Sequence, residues 1–170
     1  MSYPDPRYHG ETGEISAVYR PADQKAELTI GAGTVVRYLA TGTSTHGQFG
    51  LYRWDAKPHT SGPAAHFHRT MSESFFVLSG LIRLFNGERW IDAKSGDFLF
   101  VPEGGVHGFQ NDSDEPSSML ILFAPGAPRE GYFEAIAAKA AGRQFSDQEW
   151  KDICIRHDNY FINTDPGLTK

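Results

Sequence analysis

His66-Phe67-His68-Arg69-Thr70-Met71-Ser72-Glu73, joined further along by Pro102-Glu103-Gly104-Gly105-Val106-His107, sets four side chains with metal-ligand chemistry in two glycine-framed stretches. On a β-strand residues i and i+2 point to one face, so His66 and His68 reach a single ion when 63–68 is extended. On a helix the same spacing would splay them about 200° apart. The polar turn at 69–72 leads into Phe75-Phe76-Val77-Leu78, and a hairpin there brings the Glu73 carboxylate back beside the two imidazoles. The proline and paired glycines of 102–105 read as a tight turn ahead of His107, which opens a further short strand. Three imidazoles and one carboxylate make a shell suited to a divalent transition metal. Taken singly each histidine reads as a polar strand residue, and only the set reads as a site. His9, His46, His59 and His157 lack such partners and read as surface or loop residues.

Outward from these stretches the chain is strand after strand, then helix. Apolar or alternating runs fall at 33–40, 48–54, 64–68, 74–78, 81–85, 88–92, 98–101, 107–110 and 118–123, separated by short turn signals. Such spacing predicts an all-β sandwich or barrel. Asn86-Gly87 is the clearest turn, a two-residue type I′ hairpin signal. Alternation from Glu73 puts Phe75 and Val77 on the inward face, and Phe109 shares a face with His107. These three are the candidate substrate-pocket residues. Phe76 and Leu78 then face outward, beside Leu81 or Phe85, as an apolar patch seldom left in water. Either the C-terminal helices or a second subunit is expected to cover it.

After residue 125 the period changes. Pro128 suits a helix start and Gly142 the position just past its end, with Tyr132, Phe133, Ile136, Ala137 and Ala140 at helical spacing between them. Ser146 with Glu149 forms a capping box ahead of Trp150, Ile153 and Cys154. Both stripes read as core cover, and Cys154 as a small buried hydrophobe. The tail from His157 to Ile162 either folds back over a barrel mouth or crosses to a partner.

Composition bounds the rest. The 170 residues suffice for one core, and 39% hydrophobic with 13% aromatic residues mark a globular chain. A net charge of -5 argues against nucleic acid as the main partner. The single cysteine excludes an intrachain disulfide framework and fits a reducing compartment. No apolar run suggests a signal peptide or a membrane span, so the expectation is a cytoplasmic protein without membrane contact.

The two stretches resemble the two signature motifs of the cupin superfamily. The second matches the family pattern from Gly96 through Asn111 without a gap, and the first from His66 through Gly80. The first departs upstream, where Gly62 stands four positions before His66 rather than the six typical of the pattern, which touches a turn and no ligand. The resemblance implies a cupin β-barrel, or jelly roll, over 26–125; the proline-containing, charged and weakly patterned residues 1–25 read as an extended arm, and 126–170 as C-terminal helices and a tail packed outside. It also implies pairing through a sheet face, hence a homodimer.

Chemistry follows from what the ligands leave open. A metal preferring five or six positions keeps one or two for water, dioxygen or substrate, so one iron, manganese, nickel or cobalt ion per subunit is expected ahead of zinc. Glu73, if it leaves the ion, becomes a general base beside a bound enol or hydroxyl. The apolar neighbours suit a small aromatic substrate better than a sugar phosphate, since no Arg or Lys cluster accompanies the motif strands apart from Arg69 and Arg83. Small single-domain cupins with this ligand set resemble the quercetinase-like dioxygenases, in which the glutamate deprotonates a flavonol; the resemblance carries the roles onto His66, His68, His107 and Glu73. Two other readings stand beside it: a metal-assisted isomerase or polyketide-type cyclase, and a non-catalytic binding barrel.

Overall fold

The computed structural model describes residues 2–162, and the remainder of the expected C-terminal tail lies outside the described residues. Residues 2–19 are exposed and carry no helix or strand. The chain first fastens at Arg20, whose guanidinium donates to Glu27 at 2.6 Å and to the Tyr38 carbonyl at 3.1 Å.

Alternating burial builds the strands. β1 (Leu28–Ile30) folds against β2 (Thr34–Ala40), with Leu28 opposite Val36. β3 (Gly50–Ala56) buries every second residue, including Tyr52 and Trp54, as a half-buried strand must. Then come β4 (Thr60–Ser61), β5 (His66–Phe67), β6 (Ser72–Ser79), β7 (Leu81–Phe85), β8 (Trp90–Lys94), β9 (Phe98–Val101), β10 (Gly108–Asn111) and β11 (Ser117–Ala124). Helices α1 (Glu130–Ala140) and α2 (Asp147–Arg156) follow, and β12 (Tyr160–Phe161) closes the described chain.

The strands form a jelly roll of two antiparallel sheets. One runs β1-β2-β3-β11-β6-β9 and the other β4-β10-β7-β8, while β12 pairs with β5. Their inner faces meet in a core of Trp54, Phe75, Phe109, Met119, Ile121 and Phe123. The runs expected at 81–85 and 98–101 coincide with β7 and β9, whereas β8 begins two residues later than expected. The shift has a local cause. The tight turn is centred on Gly87 and Glu88, with the Asn86 amide donating to the Arg89 carbonyl and the Asn86 side chain accepting from Glu88 and Arg89. Among these residues only Gly87 has positive φ, 93°, whereas a type I′ turn requires it at both central positions.

A second correction concerns Glu73. β5 and β6 do not form a hairpin: β6 lies between β11 and β9, while β5 joins β12 and bridges to His107. The turn at 69–72 therefore carries the chain from one sheet to the other. For the same reason Phe76 and Leu78 do not neighbour Phe85, which is buried against Trp90 at 5.3 Å. Phe76 pairs instead with Phe98, and with Phe100 on the same strand these rings stay 40%, 63% and 56% exposed.

The C-terminal helices leave that face open because α1 is engaged elsewhere. Phe133 inserts among the inward rings of Tyr52, Trp54 and Phe123, with centroids 5.1, 5.5 and 6.4 Å away, so α1 seals one end of the barrel. Its C-terminus is stopped by Gly142, at φ 97°, where an L side chain would be strained. α2 starts with the expected capping box between Ser146 and Glu149, and it buries Cys154 as a free thiol. Replacing Phe133 by alanine should cost about 3–5 kcal/mol of stability, as for a ring removed from a packed core. Urea unfolding of the variant measures this, and a loss below about 1 kcal/mol would mean α1 does not plug the barrel.

Candidate metal centre

His66, His68, Glu73 and His107 are all buried, and one ligating atom from each lies within 4.8 Å of all the others. They come from four places: His66 on β5, His68 just beyond it, Glu73 near the start of β6, and His107 immediately before β10. The two strand ends are tied together, since His66 and His107 exchange backbone hydrogen bonds of 3.0 and 2.9 Å.

Each imidazole is oriented by a main-chain oxygen. Nδ1 of His66 faces the Ala64 carbonyl at 2.9 Å, Nδ1 of His107 faces Gly105 at 2.9 Å, and Nδ1 of His68 faces Asp158 at 2.5 Å. Carbonyls only accept, so these contacts place a proton on every Nδ1 and leave Nε2 as the inward-facing nitrogen. Nε2 of His68 and of His107 converge on one oxygen, Glu73 Oε2, at 2.9 and 2.7 Å. To surround one ion with bonds of about 2.0–2.2 Å, the two contacts on Glu73 Oε2 need to open slightly and the wider separations to close. The residues fit a single transition metal.

Electrostatics agree with the geometry. Burial, with help from the neighbouring His107 charge, pushes His66 down to about 3, so it is neutral and ready to ligate. Burial alone would raise Glu73, but the His107 charge and the two imidazole hydrogen bonds outweigh it and hold the carboxyl well below its ordinary range. His107 is raised despite its burial, because the Glu73 carboxylate favours the imidazolium.

The site looks onto a cavity of about 810 Å³ whose lining includes His66, Glu73, Trp54, Phe109, Phe123 and Phe133. Of the expected pocket residues, Phe109 lines it while Phe75 and Val77 do not. Both are inward and fully buried, but Phe75 is packed behind Phe109 and His107, at 5.7 and 5.9 Å. Val77 lies four residues past Glu73, about 13 Å deeper along its strand. His59 is exposed as expected, paired with Asp114 at 3.0 Å, but His157 is half-buried against Tyr132 at 6.0 Å.

Several contributors carry no motif signal. Asp158 holds His68 through its carbonyl, and its carboxylate accepts from the amides of Arg69 and Thr70. β12 lies along β5 with Phe161 opposite His66, so the tail folds back within its own chain. Arg129, 3% exposed, lines the cavity from the residue preceding α1. A Pro-Arg-Glu step in a loop offers no periodicity from which to foresee its burial.

Comparisons with known proteins point the same way. Residues 52–123 match the sequence model of the Cupin domain. Quercetin 2,3-dioxygenase of Bacillus subtilis is 28% identical over 109 residues, covering 64% of this chain and 32% of the dioxygenase. This chain thus spans about a third of that relative's length. A Thermotoga maritima protein described as a predicted oxalate decarboxylase superposes with a TM-score of 0.56 at 19% identity, over 64% of this chain and 99% of its own. A polyketide cyclase from Streptomyces resistomycificus does so with 0.53 at 23% identity, over 66% and 80%. At these identities the two structures show a shared fold and nothing finer.

Metal uptake should release a proton. In the metal-free protein His107 keeps its proton above the ordinary imidazole range, and a cation must displace it. Affinity should therefore rise as pH climbs from about 6 to about 8. Calorimetric metal titrations in buffers of different ionisation enthalpy count the protons, and uptake without release across that range would remove His107 from the shell.

Proposed function

Because this chain carries a cupin domain enclosing three imidazoles and a carboxylate, we propose that it is a metal-dependent dioxygenase acting on a small aromatic or enolic substrate. One observation carries the reading: the buried Glu73 carboxyl borders an aromatic-lined cavity large enough for a fused-ring substrate. The partial likeness to a quercetin 2,3-dioxygenase supports it. Bound in this shell, iron, manganese, nickel or cobalt would supply a redox-capable Lewis acid with coordination positions to spare.

The chain's own residues have distinct tasks. His66, His68 and His107, each with Nδ1 turned to a main-chain oxygen, would offer Nε2 to the ion. In the metal-free structure Nε2 of His68 and of His107 both face Glu73 Oε2, so Oε1 is free of those contacts and would accept the proton of an enol or phenol hydroxyl. Phe109, Phe123 and Trp54 supply apolar walls that exclude water from the carbanion-like face of the deprotonated substrate.

Glu73→Gln should keep most of the metal through the three histidines while lowering turnover of quercetin by about a hundredfold or more. An oxygen electrode and metal analysis on the same sample read both quantities. Undiminished turnover in the variant would remove the base role. Conversion of an enolic substrate without oxygen consumption would instead support the isomerase or cyclase reading, which the same cavity can serve. Failure to convert any such substrate would support a binding barrel.

The uncovered rings of Phe76, Phe98 and Phe100 support a second proposal, that two copies pair through this sheet face. Light scattering at micromolar concentration should give the mass of a dimer, and Phe98→Glu should give that of a monomer. A monomeric wild-type protein would refute the pairing.

A further inference from the structure

The chain is acidic overall, yet its cavity is not. Of the lining residues, Lys57, Arg129 and Lys139 are cationic, and Glu73 is the one carboxylate among the described residues. The lysines are exposed and belong to the rim. Arg129 is in the interior, and its surroundings are unusual for a buried guanidinium.

No ion pair joins Arg129 to a carboxylate among the described residues. Its Nη1 donates to the His157 carbonyl and its Nη2 to Asn159 Oδ1 at 3.1 Å, while Nε has no hydrogen-bond partner among the described residues. Two of five donors are thus accounted for. The plane is packed against three rings, with its central carbon 4.9 Å from the Phe123 centroid, 4.8 Å from Tyr132 and 5.7 Å from Phe133. A buried, unpaired arginine is costly to hold in the resting protein. The one nearby carboxylate that also lines the cavity, Glu73, is already committed to His68 and His107. The side chain is therefore rigid, charged, short of hydrogen-bond acceptors and in the wall of the space that Glu73 borders.

We infer that Arg129 is a substrate-recognition residue, and that the substrate of this cavity is an aromatic or enolic acid whose carboxylate it binds. A planar carboxylate fits the fork of donors that a guanidinium presents. The rim lysines add a favourable field along the way in. The apolar body of such an acid then lies among Trp54, Phe109 and Phe123, with its reacting hydroxyl toward Glu73. The inference rests on the proposed function only in taking this cavity as the substrate site.

The test compares 2-naphthoate with its neutral isostere 2-naphthamide, by calorimetry on the metal-loaded protein under argon. The wild type should bind the acid about tenfold more tightly or better, the margin of one charge-assisted contact. Arg129→Lys should keep part of that preference and Arg129→Gln should lose it. Equal binding of acid and amide by the wild type overturns the inference. So does a preference that survives in Arg129→Gln, which would mean that the metal holds the carboxylate. Should the glutamine variant fail to fold, the wild type labelled with 15N-arginine still decides. Its buried guanidinium Nε–H signal should move with naphthoate and not with naphthamide, and an unmoved signal refutes the contact. No turnover is measured, so absence of oxygen uptake would leave this result intact.

Discussion

A single buried oxygen organises the molecule. Glu73 Oε2 accepts from imidazoles on two different segments, and a charge so deep in the protein is tolerable only when it is paired in this way. The pairing requires β6, the end of β5 and the approach to β10 to converge at one depth in the barrel. That convergence is what the antiparallel jelly roll provides. The three Nδ1-to-carbonyl contacts complete the arrangement, because a ring free to flip would offer the wrong nitrogen.

The interior is built from two parts of the chain. The strands supply the ligands and most of the aromatic wall, while α1 supplies Phe133 and, just ahead of it, Arg129. Tyr52 links the two parts directly, donating its hydroxyl to Glu130 at 2.5 Å. The cavity is therefore a joint property of barrel and helices. Its polarity is set largely by the part that lacks motifs.

That division explains what could be read from the amino-acid order. His66, His68, Glu73 and His107 are legible because ligand chemistry and strand period agree at those positions, and β7 and β9 because each is a short, mostly apolar run bounded by turn residues. The helices were legible from Gly142, Ser146 and Glu149, whose capping roles are local. Non-local facts were not. β1, β4 and β12 are two or three residues long and exist only through their partners. The partner of β6 is not fixed by its neighbours in the chain, because a polar turn looks the same whether it reverses a strand or changes sheets. Phe75 and Val77 were placed on the correct face, but depth along a strand decides which inward residue meets the cavity, and alternation carries no depth. Arg129 lay hidden for a related reason: nothing in a loop announces which side chain will be drawn inside.

β12 has a consequence for exchange kinetics. It is two residues long, so its opening costs a small fraction of the free energy that unfolds the barrel. Each opening that reaches Asp158 removes the carbonyl holding His68 Nδ1 and releases the carboxylate cap on the turn at 69–70. The first ligand loosened is thus separated by 90 residues from the segment that loosens it. The grip of the cluster on any ion would thus follow the fraying of this short strand rather than the global stability of the barrel.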